Sequence, residues 1–135
     1  MTAAFRIKLT IPCLPDLDLS SNRRRSRVWQ AQARDTAAER ERAQVMLLES
    51  AAGQYQAIRT PVILRWTLYW PKGIRSRDAD SYASLLKPWQ DALVDLRWLP
   101  GDSLGWVSEV CYRGVPSSPK GPSMRLVVEP AAKER

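Results

Sequence analysis

The sequence predicts an α/β fold of the α+β kind: one domain with a small mixed sheet, in the order strand, helix, strand, helix, strand, strand, and helices packed on it. Three observations lead there. The chain has 135 residues, 44% of them hydrophobic and 26% charged, enough for one core and short for two. Two segments alternate apolar and polar residues as a half-buried strand does, and each is followed by a segment with helical composition or spacing.

The first strand runs from Phe5 to Ile11, with Phe5, Ile7, Leu9 and Ile11 on one side, Arg6, Lys8 and Thr10 on the other, and Pro12 as its end. A long polar connection follows, Cys13 to Ser26, ending in the basic run Arg23-Arg24-Arg25-Ser26-Arg27. Its length exceeds an ordinary connection and hints at function. From Val28 to Gly53 the chain contains no proline and no internal glycine, is rich in alanine and mixes charges of both signs, which predicts a long helix with Gly53 as its stop. The apolar face of that helix is expected through Ala37, Val45, Leu48 and Ala52, with its charge run as the solvated face.

Val62 to Trp70 reads as a second strand, with Val62, Leu64, Trp66, Leu68 and Trp70 facing one way. Beyond the short basic loop Lys72 to Arg77, Tyr82, Leu86, Trp89, Leu93 and Leu96 recur at helical intervals. Pro88 is disruptive beyond a first turn, so that helix either begins near Ser84 or is kinked. Pro100-Gly101 breaks the chain, and Trp106 to Val115 and Met124 to Glu129 read as two further strands. Ala131 to Arg135 is expected to be a frayed tail.

Charge narrows the function classes. Twenty-one Lys and Arg against fourteen Asp and Glu give a net charge of +7, an excess that suits a polyanionic partner, nucleic acid first and acidic membranes behind it. The chain contains no histidine. Triads with a His base, His-ligated zinc and His-dependent nuclease motifs are thereby excluded, so any hydrolysis must run on carboxylates, Lys or a metal. Cys13 and Cys111 form no CxxC pair and read as small buried side chains in a reducing compartment. No signal-peptide pattern and no membrane-span length is found, so a soluble cytoplasmic protein is expected.

The candidate chemistry lies between the second and third strands. Asp78 and Asp80 sit between a strand and a helix, where an Asp is more often a helix N-cap than a ligand for a hard cation such as Mg²⁺. Lys87 and Asp91 have the spacing of a surface ion pair, and Asp102 after Pro100-Gly101 suits a turn. Each piece alone is explained by structure. Their order and register carry more: Arg75-Ser-Arg-Asp78-Ala-Asp80-Ser81, then Leu86-Lys87, Asp91-Ala92-Leu93, and Asp102 nine residues after Leu93.

That block resembles the RusA-like Holliday junction resolvase family, in which a basic run leads into Asp-x-Asp-Asn, a Lys on the following helix, an Asp-Ala-Leu and an Asp-Asp pair. The likeness extends more loosely over residues 1–135 through the order of elements and Ser21-Asn22-Arg23. It departs at three places. Ser81 stands for the usual Asn, Gly101 stands for the first Asp of the pair, and three residues are inserted between Asp80 and Lys87. If the insertion lengthens the loop ahead of a helix starting near Ser84, Lys87 remains in the first turn, and this placement is the one expected.

The resemblance implies a Mg²⁺-dependent (Mn²⁺ possible) endodeoxyribonuclease that resolves four-way DNA junctions. Asp78, Asp80 and Asp102 would hold the metal, with Lys87 beside them as the fourth catalytic residue. Asn22, Arg23, Arg24, Arg25, Arg27, Lys72, Arg75 and Arg77 would contact DNA, mostly its phosphates. Paired symmetric cuts imply a homodimer. Two alternatives stand beside it: a junction-binding protein of the same fold with impaired catalysis, and a small basic RNA-binding protein whose acids are caps and turns.

Overall fold

The computed structural model describes residues 5–17, 29–54, 56–76 and 78–131, with the backbone alone described at residues 29 and 79. Its elements are β1 (Ile7–Ile11), α1 (Trp29–Ser50), β2 (Val62–Tyr69), a 3-10 turn (Ala79–Ser81), α2 (Tyr82–Asp95), β3 (Val107–Val115) and β4 (Ser123–Pro130). The expected mixed α+β arrangement is present. One four-stranded sheet has the spatial order β1-β4-β2-β3, with β2 and β3 parallel and the other pairs antiparallel. The parallel pair requires a crossover, which α2 supplies.

Register fixes which residues share a face. Leu9, Leu126, Trp66 and Tyr112 form one row and Ile11, Met124, Leu68 and Gly114 the next on the side that joins the helices in the core. Lys8, Val127, Arg65 and Cys111, then Thr10, Arg125, Thr67 and Arg113, form rows on the opposite face. The alternation read in β1 and β2 was therefore correct in phase. Trp66, Trp70, Trp89 and Trp98 are core residues, Trp106 is half-buried, and both cysteines are half-buried rather than enclosed.

The orientation of α1 differs from expectation. Ala37, Val45, Leu48 and Ala52 are exposed, Val45 at 55% and Leu48 at 40%. The buried line instead runs through Glu39, Ala43, Leu47 and Ala51, one residue every fourth position. Alanines scattered round the helix leave the apolar stripe weakly defined, and polar partners fix its rotation. Glu39, 3% exposed, accepts hydrogen bonds from the Trp89 indole N–H at 3.1 Å and from the backbone N–H of Asp16. Arg42 Nε donates to the same carboxylate at 2.6 Å, its fork reaches the Leu14 carbonyl at 3.0 Å, and its guanidinium lies 5.6 Å from the Trp89 ring centroid. The charge run was thus not wholly a solvated face.

The two helices are also joined by Arg40 and Gln44 of α1, both of which donate to Asp95 at the end of α2. Chiefly the Arg40 bond, with help from Gln44, holds the Asp95 carboxyl below its usual range. A depressed carboxyl contributes stability that is present above its unfolded value and is lost as pH falls through the folded one. An Asp95→Asn variant should therefore lose less stability than wild type as pH falls below about 4, by at most about 1 kcal/mol for so exposed a pair. Urea titrations at several pH values check this, and parallel curves for the two proteins would count against it.

The start of α2 is a second difference. The helix begins at Tyr82 directly after the 3-10 turn, so the inserted residues are helical and Pro88 lies inside the helix, where it supplies no N–H to the ladder. Tyr82 explains the early start. Its ring is buried and meets Tyr112 edge-on at 6.3 Å, and its hydroxyl accepts from Trp70 Nε1 at 3.0 Å, so the first helical residue is already core. Gly114 of β3 gives it room: a Cβ there would stand 2.1 Å from the Tyr82 hydroxyl oxygen. Gly114→Ala should cost about 2 kcal/mol through overpacking, and adding Tyr82→Phe should recover part of the lost melting temperature. A Gly114→Ala protein as stable as wild type would contradict this close approach.

Candidate functional site

The C-terminal end of β2 leads through Trp70, Pro71 and an exposed loop carrying Lys72 and Arg75 to Asp78 and the 3-10 turn. Asp78 and Asp80 are both exposed there. The N-cap of α2 is Ser81, whose hydroxyl makes no cap bond, so neither Asp occupies that cap position. Asn22, Arg23, Arg24, Arg25, Arg27 and Arg77, expected on the DNA side, lie outside the described residues.

Lys87, on the second turn of α2, is the meeting point of the motif. Its ammonium lies 3.1 Å from Asp91 Oδ1, one turn further along the helix, and 3.3 Å from Asp102 Oδ2, on the loop ahead of β3. The hydrogen bond to Asp91 is the main cause that raises the Lys87 pKa; partial burial opposes it as the next largest, and Asp102 adds a smaller raise. Lys87 is therefore held as a cation. All three groups remain open to solvent to differing degrees, with side-chain exposures of 55% for Lys87, 22% for Asp91 and 64% for Asp102. Such a pairing is reachable by an incoming phosphate, and as an exposed ion pair it adds little to stability.

The helical placement of the insertion did not separate Lys87 from Asp102. Asp80 lies in the 3-10 turn ahead of α2, while Lys87 lies on the second turn of α2. The carboxylates that act on Lys87 are Asp91 and Asp102, not Asp78 or Asp80. Asp91 is the member that sequence reasoning read as an ion-pair partner and as the Asp of the Asp-Ala-Leu element, without a place in the catalytic set. Its signal was present in the four-residue spacing from Lys87, but nothing local showed that Asp102 would close on the same ammonium.

As donors, Asp78, Asp80 and Asp102 suit a hard divalent cation, which prefers oxygen ligands and tolerates an exposed, water-completed shell. Among the described residues, no group of three or more His, Cys, Asp or Glu side chains is gathered into a metal-holding cluster. The chemistry of the set fits Mg²⁺, while the arrangement brings together Lys87, Asp91 and Asp102 rather than the three expected ligands. Among the described residues, no helix is long and apolar enough to cross a membrane. A scan against protein-family models and a search of curated proteins return no match to the chain.

Proposed function

We propose that this chain is a Mg²⁺-dependent, structure-selective endodeoxyribonuclease of the RusA-like kind, acting in the cytoplasm as a homodimer that resolves four-way DNA junctions. The observation that carries the reading is the seating of Lys87 against Asp102 across 15 residues of chain, with Asp91 as the second holder. Two residues that the motif associates through spacing alone are thereby in contact. Net charge of +7 and the exposed Lys72 and Arg75 beside Asp78 support a phosphate-bearing substrate.

In this reading Asp78, Asp80 and Asp102 would hold the metal. When bound, the ion supplies an acidified water and offsets charge on the scissile phosphate. Lys87 acts as an electrophile, not a base, because its two carboxylates keep it protonated. It donates to a non-bridging phosphate oxygen as negative charge builds there. Asp91 is a positioning residue that fixes the ammonium from one helical turn away. Lys72 and Arg75 draw in the flanking backbone without reading sequence.

The exposed, ungathered carboxylates favour a second reading, junction binding without cleavage. One experiment separates the two: a synthetic four-way junction, a duplex and a single strand are incubated with wild type and Asp102→Asn, with Mg²⁺, Mn²⁺ or EDTA. Paired symmetric nicks that require metal and vanish in the variant support the nuclease. Junction binding with no nick under either metal supports the binding protein, and preference for RNA overturns both.

A further inference from the structure

The sheet face opposite the core carries a second basic site. At the end of the sheet where β2 finishes lies a groove of about 470 Å³, whose lining includes Lys8, Thr10, Tyr69, Lys120, Ser123 and Arg125. Three of those six are cations, and no carboxylate is in the lining. Among the described residues, none of the three forms an ion pair. The face is divided by charge: its other end carries Glu129 and Glu109, and Glu129 neutralises Arg65.

Two details favour an anion over an apolar occupant. Arg125 Nε is buried and makes no hydrogen bond, a donor whose desolvation is uncompensated. Lys120 lies 5.3 Å from the Tyr69 ring centroid, a cation held over an aromatic face. Thr10 and Ser123 add hydroxyls, and Ser123 is tied to the Lys120 carbonyl at 2.7 Å, which fixes the turn that presents Lys120. Pro12 and Pro122 complete the lining, and the groove is partly open to solvent, which leaves room for a phosphate on a long chain.

We propose that this groove binds the sugar-phosphate backbone of a nucleic acid, separately from the Lys87–Asp102 site. Position supports it: Tyr69 is the last residue of β2, from which the chain passes to Lys72, Arg75 and Asp78. A strand lying in the groove would approach the candidate site round the end of the sheet, so one duplex arm could be gripped on the sheet face while its phosphates reach Lys87. The inference rests on the nucleic-acid reading above but not on hydrolysis.

The test measures binding of a fluorescent four-way junction and of a duplex by anisotropy, in EDTA, over a range of salt. Lys8→Gln/Lys120→Gln/Arg125→Gln should weaken binding tenfold or more and reduce the log–log salt slope by about 2 to 3, near 0.9 per lost phosphate contact. Arg125→Gln alone should reduce the slope by about 0.9, whereas Arg34→Gln, on the exposed side of α1, should leave it unchanged. Because Arg125 is partly buried, the exposed pair Lys8→Gln/Lys120→Gln provides a variant that keeps the sheet intact, verified by circular dichroism. A folded triple variant that binds as wild type does overturns the groove alone. Wild type that binds neither DNA overturns the groove together with the nucleic-acid reading. Equal losses in Arg34→Gln and Arg125→Gln would reduce the effect to net charge and overturn the site. A triple variant that loses binding to phosphatidylserine vesicles, or its dimeric state in sedimentation, while keeping DNA affinity also overturns it.

Discussion

Glu39→Ala is expected to lower the free energy of unfolding by about 3 kcal/mol, with the urea midpoint shifted and the slope unchanged. The size follows from what is left behind. The Trp89 indole N–H is fully buried and would lose its acceptor, the backbone N–H of Asp16 would lose another, and Arg42 would lose the carboxylate that fixes it over the Trp89 ring. Each orphaned buried donor costs about 1–3 kcal/mol, while Arg42 is exposed enough to recover hydration. Glu39→Gln retains one acceptor oxygen and should cost about half as much. An alanine variant within 1 kcal/mol of wild type would show that the network contributes no more than an ordinary surface contact.

The second large effect is on rate. Asp102→Asn should reduce junction cleavage by about a thousandfold, corresponding to about 4 kcal/mol of lost transition-state stabilisation, since it removes a proposed metal ligand and half of the charge that seats Lys87. Folding should barely change, because Asp102 is exposed and such substitutions stay within about 0.5 kcal/mol. Lys87→Met should lose a comparable amount of rate, and Lys87→Arg should restore part of it. Asp91→Asn distinguishes positioning from ligation: it should lower the single-turnover rate while leaving the Mg²⁺ concentration for half-maximal activity in place. A shift in that concentration equal to that of Asp102→Asn would instead make Asp91 a ligand. Full activity in Asp102→Asn would remove this loop from the chemistry.

What the sequence revealed depended on how far apart the cooperating residues lie. β1 and β2 announce themselves because alternation is local and one face is consistently apolar. In α2, Tyr82, Leu86, Trp89 and Leu93 mark the buried face with equal clarity. α1 misled because alanine satisfies either side of a helix, and the choice was made by Trp89 and Asp16, 50 and 23 residues from Glu39. The start of α2 was misplaced for a similar reason: proline's local cost was visible, but the compensating burial of Tyr82 against Trp70 and Gly114 was not. At the candidate site the motif named Lys87, Asp91 and Asp102 and the four-residue spacing announced the Lys87–Asp91 pair, while the closing of Asp102 on the same ammonium depends on the loop ahead of β3. The basic groove could not be read at all, since Lys8, Tyr69 and Arg125 are gathered by strand pairing and Lys120 is brought to them by the turn ahead of β4.

The position of β4 has a consequence for how the molecule is made. It lies between β1 and β2, hydrogen-bonded to both, although it comes last in sequence among the four described strands. During synthesis β1 leaves the ribosome more than a hundred residues before its partner exists. β2, α2 and β3 can assemble early as a crossover unit, but β1 must wait, and the sheet closes in a single late step of high contact order. A ribosome stalled ahead of residue 123 would therefore hold a chain whose β1 edge is unpaired and whose open edge of β2 is a template for another strand.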